Sequence, residues 1–175
     1  MRFSKPATLL LSMTLAACGM LDNLYPSGKD KRGSSAQLSP GDAAPEFSLA
    51  DIEGNIHTLS GELKGRRGAV IYFTMWCPIC DSHMQSILHG PLPRNLDVAF
   101  LVVDYITLTA EEAKNTATAG GVAQSPFVIL VDTLGDMRPA YGATMGTTVV
   151  VDRAGVIRMI EDYKTEALEK ALAGL

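Results

Sequence analysis

The sequence predicts an α/β fold: a central mixed β-sheet sandwiched by helices, with an N-terminal β-hairpin extension. Three observations lead there. Apolar runs at 69–75, 98–103, 127–131 and 147–151 are rich in β-branched and aromatic residues and read as strands buried on both faces. Helical stretches with start and stop signals lie between them, the alternation that a layered α/β domain requires. The first run hands over directly to Trp76-Cys77-Pro78-Ile79-Cys80 and then to a helix over 81–89. A thiol at a helix start meets unpaired N–H groups and the positive end of the helix dipole, and both favour thiolate. Cys77 is therefore the expected nucleophile and Cys80 its resolving partner. Pro78 fits an early helical position, where its missing N–H costs nothing.

The remaining elements follow in order. The domain opens with residues 40–49. Asp51-Ile52-Glu53-Gly54-Asn55 reads as a turn and 56–59 as a short strand, with Gly/Asn chemistry that supports a hairpin. Gly65-Arg66-Arg67-Gly68 leads into the first buried strand. Gly90-Pro91, with Pro93 close behind, ends the cysteine-bearing helix. Thr109-Ala110-Glu111-Glu112 has capping-box spacing and opens a helix that stops at Gly120-Gly121. Asp152-Arg153-Ala154-Gly155 turns the fourth strand into a fifth over 156–160, and Thr165 begins a last helix reaching about Ala173.

The chain start is different in kind. Arg2 and Lys5 precede a mostly apolar stretch over 7–17, too short to span a bilayer comfortably. It ends in Leu15-Ala16-Ala17-Cys18, which resembles the bacterial lipobox. That resemblance implies a signal peptide over 1–17, a lipid on Cys18 and a mature protein anchored in the cell envelope, facing the periplasm. Gly19, standing where an Asp would retain a lipoprotein at the inner membrane, leans towards the outer membrane. An ordinary secretory signal with an incidental cysteine is the alternative. Residues 18–37 carry Pro26-Ser27-Gly28, a charged cluster and Gly33-Ser34-Ser35, and read as a flexible tether. A loop packed on the domain is the other reading. Residues 38–175 are long enough for one domain with its own core.

Charge and cysteine count narrow the function. The chain has 15 basic and 19 acidic residues; without Arg2 and Lys5 there are 13 against 19. No basic stripe appears, which argues against a nucleic-acid partner. Of three cysteines, only Cys77 and Cys80 remain if Cys18 carries lipid. A lone close pair in an exported protein points to a disulfide that cycles, because so small a loop adds little stability.

With Trp-Cys-Pro-x-Cys after a buried strand, the chain resembles the thioredoxin superfamily, and within it the TlpA/ResA-type thiol-disulfide oxidoreductases related to the redoxin/AhpC-TSA group. Further support comes from Ala44-Pro45-Glu46-Phe47-Ser48-Leu49, from Pro126-Phe127-Val128-Ile129-Leu130-Val131-Asp132, from Tyr141-Gly142 and from Thr147-Thr148-Val149-Val150-Val151-Asp152. The resemblance implies a thioredoxin-like fold over 38–175, no cofactor, protein thiols or disulfides as partners, and a membrane thiol reductase as electron donor. It also implies supporting roles near the dithiol for Trp76, Pro78, Met145, Gly146 and Thr147. Trp76 is expected to shield the dithiol and touch partners, or simply to pack.

Two departures bear on that reading. Where the family places a cis-proline facing the cysteines, this chain has Gly146 after Met145, so docking is expected to be looser and metal exclusion weaker. Pro126 is a rival for that position. Where family members often carry a glutamate, this chain has His83, three residues after Cys80 and on its helix face. His83 is expected either to pass a proton to Cys80 or to be a packed or solvated helical residue.

Other functions remain open at this stage. Cys77, Cys80 and His83 offer two thiolates and an imidazole for Cu(I), which suits a metallochaperone; Met75, Met84 and Met145 either assist or fill the core. Thr74, three residues before Cys77, echoes a peroxiredoxin motif and suggests a thiol peroxidase, although Val70 stands where that motif has proline. Structural zinc lacks a second ligand pair, and haem attachment lacks a histidine after Cys80.

Overall fold

The computed structural model describes residues 37–175. The expected signal peptide, the lipidation residue Cys18 and all of the expected tether except its last residue lie outside them. Among the described residues no helix is long and apolar enough to cross a membrane.

Among the described residues, seven strands form one mixed sheet. β1 (Ser48–Asp51) and β2 (Ile56–Thr58) make the hairpin, followed by α1 (Leu59–Glu62). β3 (Gly68–Thr74) leads into α2 (Pro78–His89), and a 3-10 turn (Leu92–Arg94) precedes β4 (Val98–Asp104). α3 (Ala110–Ala119), β5 (Val128–Val131), α4 (Met137–Ala140), β6 (Thr147–Asp152), β7 (Ile157–Asp162) and α5 (Thr165–Ala173) complete the domain. The spatial order is β2-β1-β5-β4-β3-β6-β7. β3, β4 and β5 are mutually parallel, and β6 runs antiparallel to β3 on its other side. The hairpin is part of the sheet, because β1 also pairs with β5.

The central strands are buried on both faces, as their apolar runs require. Val70, Tyr72, Phe100, Val102 and Ile129 pack with Met84 and Ile87 of α2 and Leu168 and Leu172 of α5. The alternate residues Ala69, Ile71, Phe73, Leu101, Val103 and Leu130 pack on the opposite face with Phe47, Leu59, Met137 and Tyr141. This is the period-two division of a pleated strand between two layers.

Local chemistry sets the helix starts. The Oγ1 of Thr109 accepts the Glu112 N–H at 3.2 Å, so Thr109 caps α3 where the spacing predicts, while the Glu112 carboxylate accepts from the Thr109 hydroxyl (3.3 Å) rather than from its N–H. Several boundaries differ from the sequence reading. The strand expected to reach Leu59 stops at Thr58, whose side chain accepts the Gly61 N–H at 3.0 Å and starts α1 instead. The strand expected over 69–75 ends at Thr74, and Met75 belongs to the exposed connection that follows. α4 and the 3-10 turn are too short to show a helical period and contain proline, so neither is legible in sequence.

Candidate active site

Topology brings four chain segments to one edge of the sheet. β3 and β4 are parallel and end level with each other, Thr74 opposite Asp104. β6 is antiparallel to β3, so it begins at the edge where β3 ends. β7 is antiparallel to β6, with Thr147 opposite Asp162, so its end returns there too. The start of α2, the loop after β4, the 144–147 turn and the residue after β7 therefore meet. Pro126 precedes β5, which runs parallel to β4 with Val131 level with Asp104, and so lies towards the opposite edge. It is not the residue facing the cysteines.

At this edge Cys77 is the N-cap of α2, with Pro78 in the first turn. The Cys80 N–H donates to Cys77 Sγ at 3.1 Å. Both cysteines are free, with their sulfurs 2.6 Å apart. Cys77 is half-buried and Cys80 fully buried. Burial pushes the Cys80 thiol up, but hydrogen bonds from Cys77, from the backbone and from Tyr163 outweigh it and hold that thiol below its ordinary value.

Trp76 sits in the left-handed region at φ 56°. Its N–H donates to Thr74 Oγ1 at 3.0 Å and its indole Nε1 donates to Asp104 Oδ2 at 2.8 Å. Asp104 is fully buried and also accepts from the N–H groups of Ile106 and Thr107 and from the Thr107 hydroxyl. The carboxylate thus ties the approach to the dithiol to the loop after β4.

The 144–147 turn closes the other side. Met145 Sδ lies 3.3 Å from Cys77 Sγ. Gly146 takes φ 79°, and its N–H donates to Phe73 O at 2.9 Å. Thr147 is buried, donating to Asp162 Oδ1 at 2.6 Å and accepting the Thr144 N–H at 2.8 Å. No peptide bond among the described residues is cis, so Gly146 occupies the place facing the dithiol with a trans bond. Glycine serves there because its backbone adopts a positive φ without steric cost.

His83 takes the second of its two expected roles, a packed helical residue. Its ring packs between Tyr72 (centroids 5.3 Å apart) and Tyr163 (5.7 Å). It is buried, and among the described residues neither ring nitrogen has a hydrogen-bond partner, so the imidazole is bonded to neither sulfur. Burial pushes its pKa below the ordinary value. The expected ligand set of Cys77, Cys80 and His83 is likewise not assembled. Among the described residues no group of three or more His, Cys, Asp or Glu side chains is arranged for a metal ion. The helix pitch puts His83 on the face of Cys80, where it packs between the two tyrosine rings.

Tyr163 is the site residue that sequence reasoning missed. Its hydroxyl lies 3.7 Å from Cys80 Sγ. It stands in a turn between a strand and a helix, with no local pattern to mark it; only the return of β7 to this edge makes it a neighbour of the dithiol.

A dithiol capping the helix that follows the first parallel strand of a thioredoxin-like sheet defines the class: a thiol-disulfide oxidoreductase. Residues 39–172 match the Redoxin family model, and the chain belongs to that family. It is 26% identical over 155 residues to the thiol-disulfide oxidoreductase ResA of Geobacillus thermodenitrificans (strain NG80-2), covering 87% of this chain and 83% of that protein. The fold is similar to the thioredoxin domain of a thiol-disulfide oxidoreductase from Bacteroides vulgatus, with TM-score 0.64, 19% identity, and coverage of 79% and 98% of the two chains. It is also similar to a thiol-disulfide oxidoreductase from Bacteroides fragilis, with TM-score 0.62, 21% identity, and coverage of 76% and 98%.

Proposed function

We propose that this protein is exported, anchored by a lipid on Cys18 through the 18–37 tether, and exchanges a Cys77–Cys80 disulfide with partner proteins in the bacterial envelope. The observation that carries the catalytic assignment is the asymmetry of the pair: Cys77 is accessible and Cys80 is fully buried beside it. An incoming partner reaches only the first sulfur. Cys77 thiolate attacks one sulfur of the partner disulfide, a mixed disulfide forms and the other partner sulfur leaves as thiolate. Cys80 thiolate then attacks Cys77 Sγ, the bond to the partner breaks, and the partner leaves with two electrons gained. The reverse sequence oxidises a partner dithiol, and the reduction potential decides between the two. A membrane thiol reductase is the proposed electron source in the reducing direction.

The test uses the full chain carrying Cys18→Ser. Cys80→Ala removes the resolving sulfur and is expected to accumulate partners as mixed disulfides, released by dithiothreitol and absent when Cys77 is also replaced. Failure of the Cys18→Ser protein to equilibrate with glutathione at any poise overturns the assignment. Incorporation of labelled palmitate that disappears in Cys18→Ser tests the anchor separately.

A further inference from the structure

Tyr163 takes φ 52°, a left-handed conformation that a bulky residue keeps only where its surroundings hold it. Three contacts converge on it. Its N–H donates to Gly146 O at 3.2 Å. Its ring lies on Gly146 so closely that a Cβ there would collide with Cζ and both Cε carbons of the ring. Its hydroxyl reaches Cys80 Sγ at 3.7 Å, within the range of an O–H···S hydrogen bond. The His83 ring stands edge-on to it from α2.

We propose that Tyr163 is a working member of the dithiol site: its phenol donates a hydrogen bond to the Cys80 thiolate, and its ring, seated on Gly146, holds the Met145 turn against Cys77. The proposal rests on the oxidoreductase reading. Gly146 and Tyr163 form one unit, since any side chain at 146 would displace the ring and with it the donor to Cys80. The absence of a side chain facing the cysteines is thereby answered by an aromatic ring supplied from the turn after β7.

The chemical consequence concerns the resolving sulfur. When Cys80 attacks Cys77 Sγ, the electron pair of its thiolate forms the new S–S bond, and the bond from Cys77 to the partner breaks. The phenol loses its anionic acceptor in that step and keeps its proton throughout. Burial, then the hydrogen bond and charge of Cys80, push the Tyr163 pKa up, so the phenol remains a donor. A donor to the thiolate stabilises the reduced form, which makes the dithiol a stronger oxidant than it would otherwise be. The other titratable groups around Cys80 are Cys77 at its sulfur, Asp81 next to it on the chain, His83 on α2, Tyr72 on β3 and Tyr105 after β4.

Tyr163→Phe in the full Cys18→Ser chain tests this, because it removes the hydroxyl and keeps the ring. Thiolate absorbance against pH is expected to show Cys80 titrating at higher pH than in the parent. The glutathione equilibrium is expected to move about tenfold towards the disulfide, about 30 mV for a two-electron couple. Tyr163→Ala is expected to add faster alkylation of Cys77, as the Met145 turn loses its backing. If the parent exchanges with glutathione and Tyr163→Phe matches it in both titration and equilibrium, the proposal is overturned and the oxidoreductase reading stands. If the parent does not exchange, both fall.

Discussion

Cys77 and Cys80 differ by one turn of helix and by nearly everything else. One caps the helix and meets solvent; the other is sealed beneath it. Alkylation of the reduced protein with iodoacetamide is accordingly expected to modify Cys77 first and leave Cys80 unmodified, as read by peptide mass spectrometry. Equal labelling would contradict the division of roles. Much of this was legible in sequence, because the placement of a thiol at a helix N-terminus is a local property. His83 was legible only by position. Its helix spacing from Cys80 is correct, but two tyrosine rings from β3 and from the turn after β7 decide which way the imidazole is used. Trp76 needed the structure too, since its indole partner Asp104 is 28 residues away.

Among the elements, the hairpin carries a titratable clasp. Asp51 accepts the N–H groups of Glu53 (2.8 Å) and Asn55 (2.9 Å), and His57 spans Asp51 (3.0 Å) and Glu62 of α1 (2.7 Å). Burial pulls the His57 pKa down, but the two carboxylates outweigh it and raise it above the ordinary value. A group raised in the folded state contributes stability that is complete below its unfolded pKa and is lost as pH rises through the folded one. The oxidised protein, whose thiols do not titrate, is therefore expected to lose urea resistance as pH rises above about 6.5. His57→Gln is expected to flatten that loss; an identical slope in the variant would refute the clasp.

On the acid side Asp51 behaves oppositely. Burial opposes ionisation, yet hydrogen bonds from Asn55, His57 and the Glu53 backbone lower its pKa to about 2. Its contribution, on the order of 2 kcal/mol, is present above about pH 4 and disappears as pH falls through about 2. Sequence patterning located this hairpin from its Gly/Asn turn. It missed α1, because a four-residue helix begun by Thr58 has no period to read.

For the whole molecule, the decisive feature is that β3 lies between β4 and β6, with helices over both faces. Gly68 opens this strand opposite Asp152 of β6: a Cβ there would collide with Val151 O and press on Leu175 and Asp152. Gly68→Ala is expected to cost about 2–3 kcal/mol in chemical denaturation, as overpacking beside a backbone that cannot retreat. A variant as stable as the parent would show that β6 shifts freely.

The alternation of apolar runs with capped helices determined the α/β class, and Cys-Pro-Ile-Cys after a buried strand determined that a dithiol stands at the start of a helix. Both depend on neighbours a few residues apart, which is the range over which side-chain period, caps and helix dipoles act. What surrounds the sulfurs was decided by strand order alone. Because β6 runs antiparallel to β3 and β7 antiparallel to β6, the start of β6 and the end of β7 return Met145, Gly146 and Tyr163 to the dithiol from 68 to 83 residues away, a proximity that no local pattern encodes.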